Sequence, residues 1–150
     1  HQLSDIEPTT GMSIGKLLLS PTRPFFPILH QFLPAIRNQI YGMVHLTGGG
    51  HSKALKFLES VRVIKDHPLP IPPLFELIQT SSGTSDAEMH TVYNMGTRLE
   101  IYCSAQAAET ILKTAMEANI PAAVVGYTEA AHQPEIRIHR PGKPEICLKK

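Results

Sequence analysis

Three consecutive glycines, Gly48, Gly49 and Gly50, are the part of this 150-residue sequence with the clearest chemical use. They follow a short apolar stretch and Thr47, and His51 comes directly after them. Glycine lets the backbone turn sharply and approach a ligand closely. A helix that starts just afterwards points unpaired N–H groups and its positive dipole end at that space. The segment therefore predicts a strand, a glycine turn and a helix that together bind an anion such as phosphate.

The glycine run also has a simpler interpretation, in which it only makes a tight connection. It lacks the spacing of the G-x-G-x-x-G fingerprint, and no Gly-Lys-Ser/Thr sequence closes it as in a P-loop. From the local pattern alone both interpretations stay open, and the loop by itself does not establish nucleotide binding.

Four further residues have both a functional and a structural interpretation. Arg23 can clamp a phosphate through its planar guanidinium, or fix a neighbouring loop with the same group. Asn94 can contribute to a cleft or close its own turn through an Asx-type hydrogen bond. His51 lies beside the glycines, where it can contact an anion. His45 lies within an apolar strand and is predicted to be a hydrogen-bonded core histidine.

No metal site is predicted from the histidines and cysteines. His45 and His51 are separated by the glycine turn, and no Cys or acidic partner is suitably spaced with them. Cys103 and Cys147 show no metal-ligand spacing, and we interpret them as reduced thiols that are buried or half-buried.

The elements that must position these residues follow from hydrophobic periodicity and from turn and capping signals. We predict helices at 13–19, 24–40 with an interruption at Pro34, 51–59, 72–78, 85–93 and 104–119. We predict strands at 43–46, 61–64, 99–103 and 122–127, and a hairpin that pairs 135–139 with 145–148. This mixture predicts an α+β fold, a three-layer α/β/α-type domain with one mixed β-sheet flanked by helices.

Length and composition are those of one globular domain. The chain is 42% hydrophobic and 18% charged, and its formal net charge is +1. This charge gives no reason to expect a nucleic-acid or membrane partner. No apolar run approaches the roughly 20 residues that span a bilayer, and no signal-peptide pattern opens the chain. We expect a cytoplasmic protein, with residues 1–12 connecting it to a missing preceding domain and residues 13–150 forming the folded unit.

Several motifs in this order resemble a known family, the C-terminal domain of aminoimidazole ribonucleotide (AIR) synthetase, an enzyme also called phosphoribosylformylglycinamidine cyclo-ligase. They are Leu17–Arg23 with its Pro-Thr-Arg ending, His45–Gly50 with Thr-Gly-Gly-Gly, Glu88–Met89 with Tyr93–Gly96, and Val125–Gly126. The resemblance covers nearly the whole chain. Two positions depart from the pattern: Met95 stands where many members have cysteine, and Pro24 stands where a branched aliphatic residue is expected.

The resemblance implies the C-terminal half of an enzyme in purine biosynthesis. Its reaction uses ATP to activate the formyl oxygen of formylglycinamidine ribonucleotide, after which a nitrogen closes the imidazole ring. A missing N-terminal domain would supply most of the site for ATP and Mg²⁺, and the full-length enzyme would be a homodimer. The residues expected to bind the ribonucleotide substrate or its phosphate are Arg23, Thr47, Gly48, Gly49, Gly50, His51 and Asn94. The alternatives are another member of the superfamily, or a stand-alone phosphate- or nucleotide-binding regulatory module.

Overall fold

Eight strands, five α-helices and two 3-10 helices form the fold in a computed structural model that describes residues 1–150. The strands are β1 Ile6–Glu7, β2 Met12–Ser13, β3 Ile40–His45, β4 Val61–Lys65, β5 Leu99–Cys103, β6 Tyr127–Ala130, β7 Glu135–Ile138 and β8 Ile146–Lys149. The α-helices are α1 Ile14–Leu18, α2 Phe26–Ile36, α3 Pro73–Ser82, α4 Asp86–Val92 and α5 Ala105–Glu117. The 3-10 helices are Arg37–Gln39 and Gly50–Phe57.

The strands form three separate sheets. A four-stranded mixed sheet has the order β6-β4-β7-β8, in which β4 and β7 run parallel and the other neighbours antiparallel. Strands β3 and β5 pair antiparallel with each other, and β1 and β2 form a short antiparallel pair. The α+β class is therefore confirmed. The mixed sheet has four strands, and β3 and β5 form their own layer.

The β3–β5 ladder lies between two hydrophobic cores. Side chains alternate along a strand, so successive residues face opposite sides. Ile101 and Cys103 pack on the small core that α2 and α5 cover, whereas Tyr102 packs on the larger core. The larger core joins β3, the 3-10 helix at Gly50–Phe57 and the four-stranded sheet, through Val44, Leu46, Ala54, Leu55, Val63, Ile136, Ile138, Ile146 and Leu148. Glu100 lies on the same face of β5 as Tyr102 and therefore faces the four-stranded sheet.

Most elements match the sequence-based prediction because they carry local signals. Ser104 accepts a hydrogen bond from the Ala107 N–H at 3.2 Å and so caps α5, and Ser85 caps α4 in the same way. The hairpin across residues 139–145 forms as predicted, as β7 and β8. We predict that Pro34 kinks or divides the second helix; helix α2 continues through Pro34, so the residue does not divide it.

Two predicted elements differ in the structure. The predicted strand 122–127 is irregular up to Gly126, and pairing begins only at Tyr127. A Cβ at Gly126 would lie 1.8 Å from the Ile64 carbonyl oxygen, so the backbones approach there too closely for a side chain. The helix after the glycines is a 3-10 helix that begins at Gly50. The longest α-helix has 13 residues, and no helix is both long and apolar enough to cross a bilayer.

Replacing Ser104 by alanine should lower the free energy of unfolding by about 1 kcal/mol. The change removes the cap of α5 and a 2.8 Å hydrogen bond from the hydroxyl to the Gln39 amide oxygen. Urea denaturation measures the loss. Ser20→Ala is the control, because Ser20 is exposed and caps no helix, and an equal loss in both variants would contradict the assigned role of Ser104.

Candidate anion site at the glycine loop

The glycine loop, residues Thr47–Gly50, connects β3 to the 3-10 helix. All three glycines have positive φ, of 59°, 82° and 46° in chain order, so three consecutive residues lie in the left-handed region of backbone conformation. A Cβ on Gly50 would lie 2.4 Å from the Tyr93 carbonyl oxygen and 2.6 Å from that of His90, so only glycine fits beneath α4. A Cβ on Gly48 would meet nothing within 4 Å. Gly50 is therefore packed against protein, while Gly48 and Gly49 are exposed.

The N–H groups of Gly48 and Gly49 are free to bind a ligand. Both residues are exposed, and neither N–H group donates to a backbone carbonyl group. Backbone donors are almost always paired in folded proteins, and consecutive N–H groups in left-handed or turn conformations form concave anion sites. The geometry can therefore hold the oxygens of a phosphate.

Lys53 supports the loop, and sequence reasoning missed it. Its ammonium donates to the carbonyl oxygens of His45 at 2.8 Å and Thr47 at 3.0 Å, and to the Thr47 hydroxyl at 3.3 Å. The Ser52 hydroxyl donates to the Gly49 carbonyl at 2.8 Å. These contacts occupy acceptors of the loop and place a positive charge beside it. The signal was present in the sequence, because Lys53 follows Gly50 by three residues, about one helical turn.

The side chains of His45, Thr47 and Arg23 are exposed, and no contact joins Arg23 to the glycine loop. The prediction of a core histidine is wrong, because the His45 side chain is exposed at the end of β3. Its ring contacts Phe25 edge-on, with ring centroids 5.7 Å apart, which brings the segment after Arg23 to the loop side of β3. Arg23 itself is exposed, in an irregular segment between α1 and α2.

Asn94 closes its own turn and also holds the strand that leads into the loop. Its side-chain oxygen accepts from the Gly96 N–H at 2.9 Å, which is the predicted Asx-type bond. Its side-chain NH₂ donates to the Leu46 carbonyl at 3.3 Å. Asn94 is therefore half-buried behind the loop, and its amide is engaged by protein groups.

His51 directs its ring into the protein and only its backbone N–H toward the loop. The residue is 4% exposed. Its Nδ1 lies 2.7 Å from the Lys65 Nζ and 3.4 Å from the Glu100 Oε1. The Lys65 ammonium also contacts Glu100 directly, and the Tyr102 hydroxyl donates to the other carboxylate oxygen at 2.8 Å. We call these four residues the buried polar cluster; apart from His51, the sequence analysis did not identify them.

Burial and charge act against each other in this cluster. Burial alone would raise the pKa of Glu100, but the contacts with His51 and Lys65 outweigh it and hold that pKa at about 2. Burial lowers the pKa of Lys65, and the Glu100 carboxylate opposes this. Burial also lowers the pKa of His51, which favours the neutral ring. Burial and the neighbouring carboxylate raise the pKa of Tyr102. The cluster thus holds one paired positive and one paired negative charge.

His90 on α4 extends the cluster toward the surface. Its ring lies 5.5 Å from that of His51, centroid to centroid, and its Nδ1 contacts the Asp86 carbonyl oxygen at 2.8 Å. The Asp86 carboxylate receives two hydrogen bonds from Arg140, at 2.9 and 3.3 Å. Those bonds, together with one from Gln79, lower the pKa of Asp86 to about 2. Burial lowers the pKa of His90 to about 4.

One surface recess lies elsewhere on the protein. It has a volume of about 330 Å³ and lies along α2, between residues such as Phe26, Leu33 and Arg37. It is lined chiefly by apolar side chains and has no set of converging hydrogen-bond donors. We therefore place the candidate site at the glycine loop, where the donors converge. No group of three or more His, Cys, Asp or Glu side chains could hold a metal ion.

Lowering the pH from 6.5 to about 4.5 should destabilise the protein through His90. The folded state binds the proton only near pH 4, whereas the unfolded chain binds it near pH 6.5. The unfolded state therefore gains protons first, and up to roughly 3 kcal/mol is lost as the pH falls through this window. Urea denaturation at several pH values measures the slope. His90→Asn, which keeps a donor for the Asp86 carbonyl, should flatten it, and the exposed-site control His132→Asn should not; equal slopes would contradict the assignment.

Comparison with known proteins identifies the family. Residues 21–139 match the family described as AIR synthase related protein, C-terminal domain. The phosphoribosylformylglycinamidine cyclo-ligase of Methanococcus vannielii is 33% identical over 133 residues, which are 85% of this chain and 37% of that protein. The protein of the same name from Burkholderia mallei is 32% identical over 134 residues, 83% of this chain and 36% of that protein.

The chain thus spans a little over a third of the length of these relatives. The matched range contains the whole glycine loop, the residues of the buried polar cluster, and Arg23 and Asn94. The protein belongs to the AIR synthase related family, as its C-terminal domain.

Proposed function

We propose that this chain is the substrate-cleft half of an ATP-dependent cyclo-ligase that converts formylglycinamidine ribonucleotide to aminoimidazole ribonucleotide. The observation that carries the proposal is the glycine loop with the exposed, unpaired N–H groups of Gly48 and Gly49, in a chain of this family. The relatives described above are named for this activity, and the chain corresponds to about 37% of the length of one of them.

The loop suits the part of the reaction that concerns phosphate. The substrate carries a ribose phosphate, and ATP supplies a phosphoryl group that activates the formyl oxygen. Positioning and charge stabilisation account for most catalysis in phosphoryl transfer. We assign the binding of one of these phosphate groups to the N–H donors of Gly48, Gly49, Gly50 and His51. The exposed side chains of Thr47 and Arg23 are assigned to the same cleft, and Asn94 supports it from behind.

The remaining parts of the site are assigned to a separate N-terminal domain. That domain would bind most of ATP and Mg²⁺, since the residues here offer no set of carboxylates for the metal. Large apolar side chains support the idea that a partner covers this chain: Leu3 is 67% exposed, Leu19 84%, Phe26 73% and Tyr41 77%. Exposed apolar surface commonly marks an interface. A homodimer of the full-length enzyme would cover further surface of this kind.

The 150-residue chain alone should neither hydrolyse ATP nor close the imidazole ring, because it has no P-loop and no acidic Mg²⁺ site. The test is an assay of ADP and aminoimidazole ribonucleotide formation by the purified chain. The full-length protein, with the sequence upstream of His1, is the positive control. Ring closure by the chain alone would contradict the two-domain proposal, and an inactive full-length protein that still binds phosphate would favour the regulatory module.

Gly49→Ala separates the turning role of the loop from anion binding. The backbone there has a φ of 82°, and the added methyl group would meet only the Lys53 Cβ, at 3.8 Å. The strain should lower stability by about 1 kcal/mol. If the loop binds phosphate, the methyl group also stands where an oxygen must approach. We therefore expect KM for the ribonucleotide to rise at least tenfold in the full-length enzyme, with a smaller change in kcat.

Gly142→Ala is the matched control for Gly49→Ala. Gly142 has a φ of 69° and nothing within 4 Å of the Cβ position, so the substitution adds the same kind of strain in the β7–β8 turn. Gly50→Ala is unsuitable as a test, because its Cβ would overlap carbonyl oxygens and unfold the loop. If Gly49→Ala melts like Gly142→Ala and keeps the wild-type KM and kcat, the loop is only a connection.

A further inference from the structure

Lys65 is an unusual residue in this fold, since a lysine is rarely buried without a reason. It is 2% exposed and lies at the end of β4, two residues after Val63 on the same face of the strand, toward the larger core. Its ammonium has two partners, the Glu100 carboxylate and the His51 Nδ1 at 2.7 Å. The proposed function gives no task to either the Lys65 or the Glu100 side chain.

The contact with Lys65 determines which nitrogen of His51 carries the proton. An ammonium group has donors only, so the Nδ1 at 2.7 Å must accept. The Glu100 Oε1 is more distant from the same Nδ1, at 3.4 Å, and is occupied by Lys65. The proton of the neutral His51 ring therefore lies on Nε2, and the Asn94 backbone also interacts with this ring.

The same contacts lead to both ends of the glycine loop. His51 directly follows Gly50, and its N–H group is among the donors that the proposed function assigns to the anion, so fixing its ring also fixes the end of the loop. Asn94, whose backbone interacts with the His51 ring, donates from its side-chain NH₂ to the Leu46 carbonyl just before the loop, at 3.3 Å. Lys53 and Ser52 hold the loop from the exposed side, and the buried polar cluster holds it from beneath.

Titratable side chains from three elements surround the His51 ring. Lys65 faces it from β4, Glu100 from β5, and the neutral His90 ring from α4. Tyr102 reaches the ring only through Glu100, and Arg140 lies beyond His90 on Asp86. The Lys65 ammonium therefore determines whether the His51 Nδ1 accepts a hydrogen bond or takes a second proton next to the Glu100 carboxylate.

We propose that Lys65 is a positioning residue for the anion site: Glu100 holds its ammonium, the ammonium fixes the His51 ring, and the ring aligns the N–H groups of the glycine loop. This proposal rests on the proposed function, since it takes the loop to bind phosphate. The competing explanation is that the cluster only joins the two sheets, as buried ion pairs often can be replaced by apolar residues without loss of stability.

The test compares a double variant, Lys65→Met/Glu100→Leu, with wild type. Removing both partners leaves no uncompensated buried charge, so the chain should still fold. ¹⁵N NMR of the His51 ring between pH 6 and 8 should show a single Nε2–H tautomer in wild type and a mixture in the variant. Isothermal titration calorimetry with inorganic phosphate should show an affinity at least tenfold lower in the variant. Arg62→Met is the control on the same strand; it breaks a contact with Glu135 that stays paired with Arg137, and its affinity should stay within twofold.

His51→Leu provides a second variant if the double variant does not fold. It removes the ring and leaves the Lys65–Glu100 pair, and the affinity for phosphate should again fall at least tenfold. Wild-type affinity in a folded double variant, or in His51→Leu, would overturn the positioning role while leaving the anion site intact. If wild type itself binds no phosphate, the proposed function fails, and the positioning role fails with it.

Discussion

Removing a lysine and a glutamate from water costs several kcal/mol for each ion, and this protein does so between its two principal sheets. Lys65 of β4 meets Glu100 of β5, with exposed fractions of 2% and 7%. The pair is tolerated because every partner is supplied: Tyr102 donates to the free carboxylate oxygen, and His51 accepts from the ammonium. The β3–β5 ladder and the four-stranded sheet share no backbone hydrogen bonds, so this cluster and the larger hydrophobic core set their relative position.

The position of the glycine loop follows from that arrangement. Strand β3 of the two-stranded sheet ends just before the loop. The 3-10 helix that follows the loop packs on the four-stranded sheet. Gly50 passes so close to the end of α4 that no side chain fits, which leaves Gly48 and Gly49 facing outward with their donors free. Lys53 donates hydrogen bonds to the carbonyl oxygens of His45 and Thr47 and so occupies these acceptors of the loop.

Sequence reasoning succeeded where the signal is local. Ser85 and Ser104 cap helices, β5 alternates between two faces, and the closing hairpin follows from a Pro-Gly turn. It failed where contacts between distant parts of the chain determine whether a side chain is buried. His45 lies in an apolar strand but is exposed, because it shares the exposed face of β3 with Tyr41 and Met43. The partner of Lys65 is 35 residues away, and a lysine at the end of an apolar strand is more often exposed. Of the predicted site residues, the glycines and Thr47 lie together, whereas the ring of His51 points inward and Asn94 supports the loop from behind.

The central claim is that the loop binds an anion through its backbone. The most direct measurement is a titration of the ¹⁵N-labelled chain with inorganic phosphate, followed through the amide resonances of all residues. The account predicts saturable shifts largest at Gly48, Gly49, Gly50 and His51, since their N–H groups would donate to the phosphate oxygens. Shifts confined to other regions, with these four amides unmoved, would contradict it.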